Sequence, residues 1–149
     1  MHEYRATTRW KRTSADFTYD TYNRSAEVTF GGGEVVAWSA APEFKGDAAR
    51  VNPEEAFVAS LSTCHMLTFL ALAARKRFVV ETYADAATGV MERNAQGKYW
   101  VSKVTLRPKL TFSGDRQPSA QEISGLHHAA HENCFVANSV TSSVSIDEA

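Results

Sequence analysis

Only two of the 149 residues are cysteine, too few for a disulfide-stapled secreted module. An excess of one charge is lacking as well. The 16 basic and 17 acidic residues leave a formal net charge of −1, so nothing suggests a basic face that would grip nucleic acid. Met1 to Arg12 has no apolar h-region, being broken by Glu3, Arg5, Arg9 and Lys11. No secretory signal is therefore expected, and the reducing cytoplasm is the expected compartment. Repeats, linkers and low-complexity stretches are absent, and the length suits a single domain over 1–149. Several signatures of chemistry are missing too. There is no P-loop and no GxGxxG, and Gly31-Gly32-Gly33 precedes no helix, so it reads as a turn. His131-Glu132 does not continue into HExxH, and the cysteines form no CxxC.

What is present is ordinary globular composition, 44% hydrophobic and 22% charged. The first fifty residues read as β structure. Residues 4–11 are rich in Thr, Tyr and Trp, residues 16–22 alternate, and 27–38 place Val28, Phe30, Val35, Val36 and Trp38 around the glycine run of a hairpin. Asn52, Pro53 and Glu55 then form an N-cap, a first helical residue and an acidic third position. The helix they open runs through an apolar stretch, Ala56 to Ala74, and closes on Arg75, Lys76 and Arg77, which complement its negative end. This stretch approaches the roughly 20 residues of a membrane span. Ser60, Ser62, Thr63, His65 and Thr68 dilute it, and a buried helix of a soluble protein is the expectation. Its apolar residues lie all round, so burial on every side is expected. A helix of about 25 residues would be nearly 40 Å long, more than a domain of this size can cover, and an oligomer that shares its helices is expected.

Residues 78–92 and 98–113 read as two strands around the loop Asn94-Ala95-Gln96-Gly97. Ser119 and Glu122 form a capping box for a second helix to about Glu132, and Val140 to Ile146 reads as a last strand. The order points to an α+β domain with helices on a mostly antiparallel sheet.

Two groups of residues could carry chemistry. Cys64 lies in mid-helix, too far from the helix N-terminus to gain from its dipole, so a reactive thiolate there would need a cation from elsewhere in the fold. Cys134 ends the second helix, and the fold could bring the two thiols together. His127, His131 and Cys134 follow an i, i+4, i+7 spacing, and with His65 they would make a chemically reasonable zinc site.

The segments Asn52-Pro53-Glu54-Glu55 and Ala59-Ser60-Leu61-Ser62-Thr63-Cys64, followed by Cys134-Phe135-Val136-Ala137-Asn138-Ser139, resemble the OsmC/Ohr family of osmotically inducible and organic hydroperoxide resistance proteins. The element order matches along essentially the whole chain. The resemblance implies an intertwined homodimer of this α+β fold, with its sites at the subunit interface and no cofactor. It implies a thiol peroxidase that reduces organic hydroperoxides and is reset by a dithiol, lipoyl-type or a small thiol. By the same match Cys64 is the reactive cysteine, Cys134 resolves it through an intramolecular disulfide, Glu54 is the family's glutamate and Arg24 its thiolate-holding arginine. Glu54 and Cys64 sit too far apart on one straight helix to meet, so the helix starts late or kinks, or Glu54 serves the partner subunit's site. Pro42-Glu43-Phe44 lacks an arginine found there in some members, His65 replaces a common aromatic, and Phe135 a common proline. These departures indicate a divergent branch. A His/Cys metal-binding or structural dimer module on the same fold is the alternative.

Overall fold

The computed structural model describes all residues, 1–149. They form two compact units, Met1–Ala56 and Phe57–Ala149. In the first, β1 (Ala6–Trp10), β2 (Ala26–Phe30) and β3 (Val35–Trp38) make an antiparallel sheet in the order β1-β2-β3. The glycine run is the expected hairpin turn. Gly33 has φ 91°, and its N–H donates to Phe30 O at 2.9 Å. Residues 16–22, expected as a strand, instead coil into a turn. Tyr22 N–H donates to Thr18 O at 3.0 Å, and the Thr18 and Thr21 hydroxyls bond at 2.8 Å. Threonine hydroxyls offer the backbone local partners that compete with a ladder, which the alternating pattern conceals.

After a 3₁₀ turn at Pro42–Phe44, Gly46 passes so close to the preceding chain that a Cβ built on it would lie 1.5 Å from Ala40 O. No rotamer can relieve a clash between two backbones. Gly46→Ala is expected to destabilise the chain by about 3 kcal/mol, seen as a lower urea midpoint at unchanged slope.

Helix α1 (Pro53–Arg75) begins where the sequence places it. Asn52 Oδ1 accepts the Glu55 N–H at 2.8 Å, and Glu54 and Glu55 occupy the positive end. It stops in a Schellman turn: Arg77, at φ 63°, donates to Ala74 O at 2.9 Å and Phe78 to Ala73 O at 3.0 Å. Burial on every side is not what the chain achieves. The buried residues are one stripe at four-residue spacing, Leu61, His65, Phe69 and Ala73, while Leu67 is 58% exposed. By length and composition α1 could cross a bilayer. Its buried stripe nevertheless contains a histidine hydrogen-bonded within the fold, which is the pattern of a core helix.

In the second unit the two expected strands become one long hairpin that breaks near its middle. β4 (Val79–Asp85) pairs antiparallel with β7 (Pro108–Ser113), and β5 (Thr88–Arg93) with β6 (Tyr99–Leu106). The break falls where Pro108 lacks an N–H and where Asp85 Oδ1 takes the Arg107 N–H at 2.6 Å in place of a ladder partner. The loop Asn94–Gly97 closes the hairpin as expected, with Gly97 at φ 76°. Helix α2 (Ala120–Asn133) starts on the anticipated capping box. Ser119 Oγ accepts from Glu122 N at 3.1 Å, and Glu122 Oε2 accepts from Ser119 N at 2.9 Å. The last strand, β8 (Ser143–Ile146), lies parallel to β6. Two apolar clusters hold the unit. Phe69, Ala73, Phe78, Leu126 and Ala130 form one, and Leu61, Val104 and Leu106 the other. The architecture is mixed α+β with mostly antiparallel sheets, as the sequence indicates.

Candidate functional site: two thiols beside a buried histidine pair

The fold brings Cys64 and Cys134 together. Cys64 sits in the fourth turn of α1, half-buried, and Cys134 is the C-cap of α2, 1% exposed. Both are free thiols, and they lie near enough for Cys64 to act on the titration of Cys134. Burial, followed by the Cys64 side chain, pushes the Cys134 thiol up to about 11, against the opposing Ala137 N–H at 3.4 Å. Cys134 is therefore a neutral thiol near pH 7. The negative end of α2 adds nothing that would favour its anion.

The next residue on α1, His65, reaches across to α2. His65 Nε2 and His127 Nδ1 share a hydrogen bond of 3.0 Å, with the rings nearly parallel and 5.3 Å between centroids. Phe69 closes on the other side of His127, 4.4 Å from its centroid. His65 Nδ1 and His131 Nδ1 are buried without a partner in the chain. Burial, then the neighbouring His127 and His131, lowers His65 from an ordinary 6.5 to about 4, and burial lowers His127 as well. The consequence for stability follows from where protons bind. The unfolded chain protonates this histidine near 6.5 and the folded chain only near 4, so stability is full above pH 6.5 and declines as pH falls to 4. The loss is expected to reach about 3 kcal/mol at a single site. Urea midpoints at pH 7.5 and 4.5 measure it, and His65→Phe should remove most of the difference.

Asp85 ties these elements together. Its Oδ2 accepts the Ser62 hydroxyl of α1, while its Oδ1 holds Arg107 N. Burial, then Asp85, raises the Tyr83 phenol above its ordinary value, and its hydroxyl is buried without a partner.

Glu54 and Arg24 belong to the first unit. Glu54 is the second residue of α1 and half-buried, and its Oε2 has no partner in the chain. The Arg24 guanidinium donates to the carbonyls of Tyr22, at 2.7 Å, and Tyr19, and stacks 3.8 Å from the Tyr22 ring centroid. Its Nε is buried and unpartnered. Arg24 lines a cavity of about 850 Å³ whose walls include Trp10, Phe17, Tyr22, Val28 and Trp38.

The zinc alternative finds no site. No three His, Cys, Asp or Glu side chains come together in a way that could hold a metal ion. The reason lies in the ring pairing, which spends one nitrogen each of His65 and His127 on the other ring. Sequence reasoning grouped these histidines with the thiols only as an alternative zinc set and did not foresee their ring pairing. It missed Asp85 altogether, since an aspartate ending a strand carries no signal of a helix partner 23 positions earlier.

The comparisons agree with this picture. The model of the family described as OsmC-like protein matches residues 45–149. An OsmC-like protein of unknown function from Vibrio cholerae is 46% identical over 99% of each chain, with a TM-score of 0.95. The chain belongs to the OsmC-like family. An organic hydroperoxide resistance protein from Legionella pneumophila shares the fold at 17% identity, TM-score 0.72, over 99% of this chain and 98% of its own. Another, from Bacillus subtilis, does so at 17% identity, TM-score 0.69, over 98% and 97%. A search of curated proteins gave no significant match.

Proposed function

We propose that the protein is a cysteine-based organic hydroperoxide reductase acting in the cytoplasm as a homodimer. The proximity of the two free thiols, Cys64 on α1 and Cys134 at the cap of α2, carries this reading. The Cys64 thiolate attacks one peroxide oxygen. An S–O bond forms, the O–O bond breaks, and the alkoxide leaves with a proton as alcohol. Cys134 sulfur then attacks the Cys64 sulfenic acid. The S–S bond forms, the S–O bond breaks, and hydroxide leaves as water with the proton that Cys134 gives up. A dithiol of lipoyl type or a small thiol returns two electrons and two protons by exchange. A buried neutral Cys134 suits the second step, because it cannot compete with Cys64 for peroxide.

By the family match Arg24 is the candidate for the cation that a mid-helix thiolate needs, and Glu54 is a further candidate site residue. The mainly aromatic and aliphatic cavity around Arg24 suits an organic peroxide better than hydrogen peroxide. The open flank of α1 at Leu67 and the exposed Phe135 support a dimer, in which a second chain would cover them. Names carried by the Legionella and Bacillus relatives support the substrate class. The test is consumption of cumene and tert-butyl hydroperoxide against hydrogen peroxide, with dihydrolipoamide or dithiothreitol as reductant. Paired loss of both thiols at about one equivalent of organic peroxide supports the reading, and unchanged thiols would sink it.

A further inference from the structure

The buried histidine pair has no part in that chemistry, yet it joins the helix of one thiol to the helix of the other. We propose that His65 and His127 are positioning residues that latch α2 onto α1 and hold Cys134 at Cys64, and that their protonation opens the latch. The inference rests on the thiol-pair reading for its purpose and on geometry for its mechanism. His65 is adjacent to Cys64 in α1, and His127 lies two turns before the Cys134 cap in α2. The single hydrogen bond of 3.0 Å between Nε2 of one and Nδ1 of the other needs exactly one hydrogen between them. A proton added to His65 leaves a charged, buried Nδ1–H that has no acceptor in the chain. A second proton sets two N–H groups face to face.

The surroundings decide the sign. Asp85 of β4 and Glu148 beyond β8 favour the charged rings, and His131 on α2 opposes charge on His65. Cys64 beside the pair and the Tyr83 phenol across Phe69 are the other titratable neighbours, and Phe69 itself brings only an apolar face. Burial outweighs the two carboxylates, so the rings stay neutral at pH 7 and the latch is closed. It opens as pH falls from 6.5 towards 4, where α2 lifts and Cys134 moves away from Cys64.

The test uses no peroxide, so it succeeds or fails independently of the reductase assay. In a Cys64→Ser background Cys134 is the sole thiol, and 4,4′-dithiodipyridine labels thiols even in acid. Labelling rates, divided by those of free glutathione at each pH, should rise at least tenfold for this protein between pH 7 and pH 4.5. His127→Phe and His65→Phe, added separately, keep an aromatic ring in place of the titrating one and should hold the ratio within twofold. Two variants are used so that one folding defect, read by circular dichroism, leaves the other to decide. A flat profile in the parent, or an equal rise in the variants, overturns the latch.

Discussion

Cys64→Ser is expected to reduce consumption of organic hydroperoxide to the uncatalysed background. A serine hydroxyl at neutral pH is not ionised and cannot attack the O–O bond as a thiolate does. The remaining thiol, Cys134, stays buried and neutral, so it should not take over. Cys134→Ser separates the two steps. That variant should consume about one equivalent of peroxide per chain and then stop, because Cys64 is oxidised with nothing to resolve it. Mass spectrometry should find one added oxygen on Cys64, or more with excess peroxide. Sustained turnover by Cys64→Ser would refute the mechanism. Sustained turnover by Cys134→Ser would show that the reductant resolves Cys64 directly.

The second large effect concerns Glu54. Helix α1 starts at Pro53, which removes the possibility that the helix begins after the glutamate. Ten residues along a helix amount to about 15 Å of rise and about 80° of rotation between Glu54 and Cys64. A glutamate side chain does not reach that far. If both serve one site and α1 runs straight between them, the glutamate comes from the partner subunit. Cys64→Ser and Glu54→Ala homodimers should each be inactive. Heterodimers of the two should regain about half the parental activity, because one of their two sites has both groups intact. No recovery in heterodimers verified by differential tagging would confine Glu54 to its own chain.

Local signals were the most legible part of this sequence. Asn52-Pro53 and Ser119-Glu122 fixed the starts of both helices, because caps are satisfied within three residues. The hairpin turns at Gly33 and Gly97 were readable for the same reason, since a positive φ calls for glycine. Legibility ended where a residue's partner is remote. The break at Asp85 depends on Arg107, and the loss of the strand at 16–22 depends on hydroxyl bonds that an alternating pattern does not announce. The apolar circumference of α1 was read correctly as composition. Which part of it this chain buries depends on the strands and helix packed against it, so the single buried stripe was not foreseeable. In the site, the motif around each cysteine located the thiols. The pairing of His65 with His127 across 62 positions was out of reach.

The parallel placement of β8 beside β6 bears on how the chain acquires its shape during synthesis. Lys103 to Leu106 must wait for Ser143 to Ile146, with all of α2 made in between. Until then one edge of β6 offers unpaired backbone groups beside Val104 and Leu106, two residues that end fully buried. Such an edge can pair with a neighbouring nascent chain. Long-range pairing of this kind is also slow. The second unit is therefore expected to mature late, when its last four-residue strand covers the open edge of β6. Removal of residues 143–149 should raise the aggregated fraction of newly made chains, read by sedimentation, even though every residue of the thiol pair is still present.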